Sequence, residues 1–281
     1  MAKLTDYAAA TRFDSGDILI KDGTNGTKKI TASNAAVEFA GLVSAVNHRN
    51  VFRGKNLGTS VTAAQKAAIA DGSFDDLFIG DYWTINGTRY DIADMDYWYN
   101  TGNPHVCHTH HLVMIPHESM RTDKMNASNT TEGGYLGSDL YHATNNVTGL
   151  SVVRNLIRSA FPSMLLTHYE YFVNAVNEDG YPTAATWVES TIDLMNEIMI
   201  YGSYICAAGV GDSSRMLGTV DKRQLALFQL ARSRDVSLSG IWLRDISSDK
   251  QFCTYTVGSA LSRPATTDNV GIAPVFGITG E

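Results

Sequence analysis

The chain has 281 residues, 44% of them hydrophobic and 18% charged, enough for one large domain with a substantial core and a small appendage. A formal net charge of -7 with no compensating basic run argues against nucleic acid as a partner. No segment is long and apolar enough to span a bilayer, and the first residues, MAKLTDYAAATRF, lack the apolar stretch of a signal peptide, so membrane insertion is not expected. Three widely spaced cysteines, Cys107, Cys206 and Cys253, give no disulfide framework and suit a reducing cytoplasm.

In chain order, Asp17–Ile20 reads as a short apolar strand, Lys21–Gly26 as a turn and Thr27–Thr31 as a returning strand. A short helix over Ser33–Leu42, capped by Ser33, follows. A lone hairpin with one short helix buries too little to stand alone. Residues 1–45 are therefore expected to be either a flexible arm or an attachment and oligomerisation segment, and residues 46–281 an α+β domain.

Thr62–Ala70 is Ala-rich and predicts a helix, capped by Ser60 or Thr62 and ended by Asp71-Gly72. The stretch Phe78–Pro116 is the densest aromatic segment. Tyr82, Trp83 and Ile85 run into Asn86-Gly87, a strong hairpin signal, and Thr88–Ile92 returns; Leu112–Ile115 reads as a buried strand. This segment is expected to seed the main sheet, because large rings bury much area on rigid strands. Glu118–Thr148 turns polar and is expected to be an ordered surface loop, anchored by Tyr135, Leu136, Leu140 and Tyr141.

Leu150–Phe161 has helical spacing and stops at Pro162, and Met164–Val176 is ring-rich and strand-like. Thr186 with Glu189 forms a capping-box pattern, so a helix is expected from Thr186 to Gly202 along Val188, Ile192, Met195 and Ile198. A short helical piece follows at Leu225–Ala231. Leu238–Arg244, Gln251–Val257 and Gly271–Ile278 read as strands separated by polar turns, pairing with the sheet seeded by Tyr82–Ile92.

Two resemblances follow from these residues. The pattern DILIKDGTNGTKKITASNAAVEF resembles the N-terminal segment of many tailed-phage and prophage structural proteins. The closing succession of an apolar-Trp-Leu-Arg strand, an aromatic strand and a G-x-x-P-V-F strand is similar to the end of C-type-lectin-like and formylglycine-generating-enzyme-like domains, although Ala273 stands where such domains usually have Arg before Pro274. These resemblances imply a non-enzymatic virion protein whose lectin-like domain presents binding loops. The implied role is a receptor-binding adhesin on a tail or head fibre, with capsid or tail decoration as the second reading and a carbohydrate-active enzyme as the third. Its partners would be other virion proteins through residues 1–45, further copies of itself in a homo-oligomer such as a trimer, and a host surface glycan or protein.

Candidate ligand-binding residues are Tyr135, Tyr141, Asn145 and Asn146 in the polar loop, where rings and amides suit recognition. In the cluster His105-x-Cys107-His108-x-His110-His111, the His108 and His110 pair resembles the His-x-His element that places iron on the threefold axis of some phage fibres, and zinc is the other metal such donors suit. The commoner role of such histidines is hydrogen bonding and ring contact at a strand entrance. Asp91, Asp94 and Asp96 beside the rings, or Glu118, Glu132 and Asp139 in the loop, have the chemistry of a glycosidase pair or of calcium ligands. Their ordinary use is in turns and backbone hydrogen bonds. No nucleophile-elbow, zincin or phosphate-loop motif is present.

Overall fold

The computed structural model describes residues 18–21, 28–31, 48–143, 149–207, 223–230, 238, 240–256 and 259–280. The N-terminal hairpin is there as expected: β1 (Ile18–Lys21) pairs antiparallel with β2 (Lys28–Thr31) as a sheet of its own. The helix expected at Ser33–Leu42 lies outside the described residues. Helix α1 (Ala63–Ala70) begins where the sequence indicated. Thr62 accepts from the Gln65 N–H, Gln65 returns the bond to the Thr62 N–H, and the chain turns off at Asp71.

The aromatic segment forms β3 (Tyr82–Ile85), β4 (Thr88–Met95) and β5 (Leu112–Pro116). The β3–β4 turn requires positive φ at both central residues. Asn86 has φ 52° and Gly87 81°, so the tight hairpin rests on the two residue types that tolerate this region best. The polar stretch after β5 contributes β6 (Arg121–Asp123) and the single turn α2 (Asp139–His142). Helix α3 (Gly149–Ala160) follows, burying Leu150, Val153 and Ile157.

Next come β7 (His168–Val176), β8 (Pro182–Ser190), β9 (Ile192–Leu194), α4 (Glu197–Tyr201) and α5 (Ala226–Leu230). The helix expected from Thr186 to Gly202 is thus mostly extended. Thr183, Thr186, Trp187, Val188, Thr191 and Ile192 are β-branched or aromatic, and β7 offers a partner for their backbone. Thr186 and Glu189, which read as a capping box, lie across the ladder from Phe172 and Tyr169. Only the last turn is helical, capped by the Asn196 side chain on the Met199 N–H and stopped by Gly202 in the left-handed region.

The C-terminal third holds β10 (Ile241–Ser248), β11 (Gln251–Thr256), β12 (Ser259–Pro264), β13 (Val270–Ile272) and β14 (Pro274–Ile278). These do not all join the aromatic hairpin. One five-stranded sheet has the order β3-β4-β5-β14-β9, the other β12-β11-β10-β13-β6, and β7 and β8 form a two-stranded ribbon. The run GIAPVFGI, expected as one strand, crosses from the second sheet to the first at the buried Ala273. Pro274, which lacks an N–H, stands at the first position of β14, where a ladder tolerates it.

Two apolar clusters fill the body, and strand alternation distributes residues between them. Ile92, Met114, Phe276 and Ile278 face the cluster containing α3 and Phe161. Ala93, Val113, Ile115 and Val275 face the one containing Trp98, Met199, Phe228 and Tyr255. On β10, Trp242 joins the first cluster, and Ile241 and Leu243 the second. Both large sheets therefore bury two faces. The arrangement is α+β, mostly sheet, with few helices.

Candidate recognition surface

The β7–β8 ribbon presents the largest set of partly exposed rings on adjacent strands among the described residues. Alternation along β7 sends His168, Glu170 and Phe172 inward and Tyr169 and Tyr171 outward, while Val173 packs against the core beside Gly134. Directly opposed residues of an antiparallel pair share a face. Trp187 lies opposite Tyr171 and Glu189 opposite Tyr169, so these four side chains share the outer face. The Tyr171 and Trp187 ring centroids are 5.4 Å apart, and His105 brings its ring within 5.6 Å of Tyr169. Tyr181, in the turn that joins the two strands, is 50% exposed. That turn is pinned where Gly180 passes Ser248, because an added Cβ would come within 2.0 Å of the Ser248 backbone.

The inner face holds the ribbon rigid through charge. Glu170 is buried, with His168 Nε2 at 2.9 Å and an Arg244 guanidinium nitrogen at 2.7 Å, while Arg244 also lies over the Phe172 ring. Burial alone would push the Glu170 carboxyl up. Arg244 and His168 outweigh it and hold the group below its ordinary value. Beside this pair, Asp193 accepts from Tyr135 Oη, an Arg154 N–H and Ser190 Oγ. Here burial wins, and Asp193 is raised.

Under the ribbon, the Trp98 ring contacts two imidazoles, with centroids 4.0 Å from His168 and 5.6 Å from His111. His111 Nε2 accepts the Trp98 backbone N–H, which leaves Nδ1 to donate to the Thr109 carbonyl. Burial of this imidazole lowers it to about 4. An unfolded histidine titrates near 6.5, so the unfolded chain takes up this proton first, and stability falls as the pH drops from about 6.5 toward about 4. The expected loss is on the order of 3 kcal/mol. A thermal-melting series across that range checks it, and in His111→Gln the slope should flatten.

The residues singled out from sequence fall differently. Tyr135 is 0% exposed, its hydroxyl shared between Asp193 and the Leu194 N–H. It therefore anchors the polar loop from inside rather than meeting a ligand. The loop's rings were needed to close the core, and Tyr135 stacks edge-on with Phe172 and Tyr141. Tyr141 is half-buried under the Arg154 guanidinium. Asn145 and Asn146 lie outside the described residues.

His108 Nδ1 bonds Asn100 at 3.0 Å. His110 Nδ1 bonds Asp96 at 2.8 Å and stacks on Tyr99 at 4.7 Å. Within one chain each is held by its own partner. Asp91, Asp94 and Asp96 are likewise committed, to Arg89 and His117, to Arg49 and the Ala226 N–H, and to His110 and the His111 N–H.

Sequence alone puts Trp187 on a helix, and nothing local marks Glu170 or Asp193 as a buried carboxylate. The alternation of HYEYFV was the available signal, with its polar members on the buried side. The chain matches no protein-family model, and no curated protein or solved structure matches it.

Proposed function

We propose that the chain is a structural protein of a phage virion that displays a C-type-lectin-like domain and binds the host surface, as an adhesin on a tail or head fibre. The observation that carries the recognition half is the outer face of β7–β8, where Tyr169, Tyr171 and Trp187 stand together with Glu189 at their edge. Rings give large contact area at low conformational cost, and tyrosine hydroxyls hydrogen-bond at the rim, which suits a host glycan or protein. The virion half rests on the resemblance of the N-terminal segment to those of tailed-phage structural proteins. The β1–β2 hairpin pairs with no other strand among the described residues, which supports an arm that docks on other virion proteins or on further copies of the chain.

Decoration of a capsid or tail is the second reading, favoured by the same arm. For the carbohydrate-active enzyme, the buried carboxylates Glu170 and Asp193 are the pair to weigh. Their oxygens are taken by Arg244, His168, Arg154, Tyr135 and Ser190, which supports a scaffolding role for both.

The test uses two variants of the virion-borne protein. Deleting residues 1–45 should leave the body folded and prevent its incorporation into particles. The double substitution Tyr171→Ala with Trp187→Ala should spare incorporation and reduce adsorption to host cells. A decoration protein would lose particle stability instead, with adsorption unchanged.

A further inference from the structure

We propose that Cys206 and Cys253 form a redox-active dithiol, in which Cys206 attacks low-molecular-weight disulfides and Cys253 resolves the mixed disulfide. The two are 47 positions apart in the chain, and the fold brings them together. Donor atoms of Glu197, Cys206 and Cys253 all lie within 4.8 Å of one another. Cys253 sits on β11 directly opposite Ser262 of β12, so both side chains share one face, and Cys206 Sγ reaches Ser262 Oγ at 3.0 Å.

Glu197 sets this geometry. Its buried carboxylate accepts from the N–H groups of Ile205, Cys206 and Ala207, which fixes the backbone that carries the Cys206 thiol. With three backbone donors on it, the carboxylate is committed to positioning. The two sulfurs are left facing each other.

The pair is asymmetric in the way thiol–disulfide exchange needs. Cys206 is partly exposed and Cys253 is buried. The Cys253 thiol, with help from the Ser262 and Ser247 hydroxyls, stabilises a thiolate at Cys206 and lowers it to about 6, although burial and the Glu197 charge oppose this. Cys253 is raised, first by that same contact and then by burial, with Asp245 and Glu197 adding to it, so it holds the proton. In the first step the Cys206 thiolate bonds to one sulfur of the small disulfide, whose S–S bond breaks and releases one thiolate. In the second, the Cys253 sulfur attacks Cys206 Sγ, its proton passes to solvent, and the second small thiolate leaves. The dithiol is oxidised to a disulfide, and the small disulfide is reduced to two thiols.

The probe is 5,5′-dithiobis(2-nitrobenzoate) on the folded, reduced full chain. The wild type should release two equivalents of thionitrobenzoate in the fast phase, retain no adduct, and show a Cys206–Cys253 bond in its peptide map. Cys253→Ser should release one equivalent and keep the adduct on Cys206. Cys206→Ser should slow the fast phase by about tenfold or more, to the pace of buried thiols. If Cys253→Ser does not fold, the peptide map of the oxidised wild type decides alone. A stable adduct on wild-type Cys206, or an unaltered rate in Cys206→Ser, overturns the proposal. So does a protein that reacts only after a chelator is added, because the cluster would then be a metal site.

Discussion

Removing residues 270–281 should abolish cooperative unfolding altogether. These twelve residues carry β13 and β14, each an inner strand: β13 lies between β10 and β6, and β14 between β5 and β9. Val270, Ile272, Val275, Phe276 and Ile278 are all buried. Burying one such side chain contributes about 1.5–3 kcal/mol, and a whole domain is stable by only about 5–15 kcal/mol. Losing five together, with the hydrogen-bond ladders on both sides, exceeds what the fold can lose. A milder probe is Phe276→Ala, which empties a three-ring contact with Tyr90 and Phe161 and should cost about 3–5 kcal/mol. The readout is thermal melting followed by near-UV circular dichroism. A truncated chain with a single sharp transition would show that the two sheets do not depend on their shared closing segment.

Arg244→Ala is the point substitution on the polar side of the core with the largest expected effect. It leaves Glu170 buried with His168 as its remaining partner and strips the cation from the Phe172 ring. Breaking a buried ion pair from one side costs about 3–5 kcal/mol, because the surviving charge keeps its desolvation penalty. The pH dependence carries a sign. In the wild type Glu170 is held below its ordinary value of 4.5, so its contribution is present above that pH and is lost as the pH falls through the lower folded value. In Arg244→Ala burial is no longer outweighed and the carboxyl rises, so the deficit relative to wild type should shrink on acidification. Combining Glu170→Gln with Arg244→Met removes both charges and should recover part of the loss. Denaturant melts of the three variants check this. A loss under about 1 kcal/mol for Arg244→Ala would mean that the pair does not hold the ribbon.

Local chemistry was legible in the sequence wherever one short signal outweighed its alternatives. Asn86-Gly87 fixed its hairpin, Thr62 and Gln65 fixed the start of α1, and Gly202 ended α4. The signal misled where two readings shared a pattern. Thr186 and Glu189 have capping-box spacing, but among β-branched neighbours with β7 beside them the strand prevailed. β12, whose sequence SALSRP is largely exposed and carries a single large apolar residue, Leu261, reads as a turn; it forms by pairing along the whole of β11.

Long-range placement was the least visible. Nothing near Ala273 shows that the chain changes sheets there. Cys206 and Cys253 look dispersed because their meeting depends on Glu197 folding the 205–207 backbone over β11. Tyr135 reads both as a loop anchor and as a ligand-binding ring; only the anchor stands, because its hydroxyl is buried on Asp193, 58 positions away.

The proposed host-binding role of the outer β7–β8 face is directly open to measurement. Particles carrying Tyr171→Ala with Trp187→Ala can be compared with wild-type particles for the amount of this protein incorporated and for the rate of adsorption to host cells. If this face is the host-binding surface, as proposed, incorporation should be equal and adsorption slowed by about tenfold or more, since losing two central aromatic anchors costs a recognition interface at least about 2 kcal/mol. Wild-type adsorption by particles that carry a full complement of the variant would contradict it.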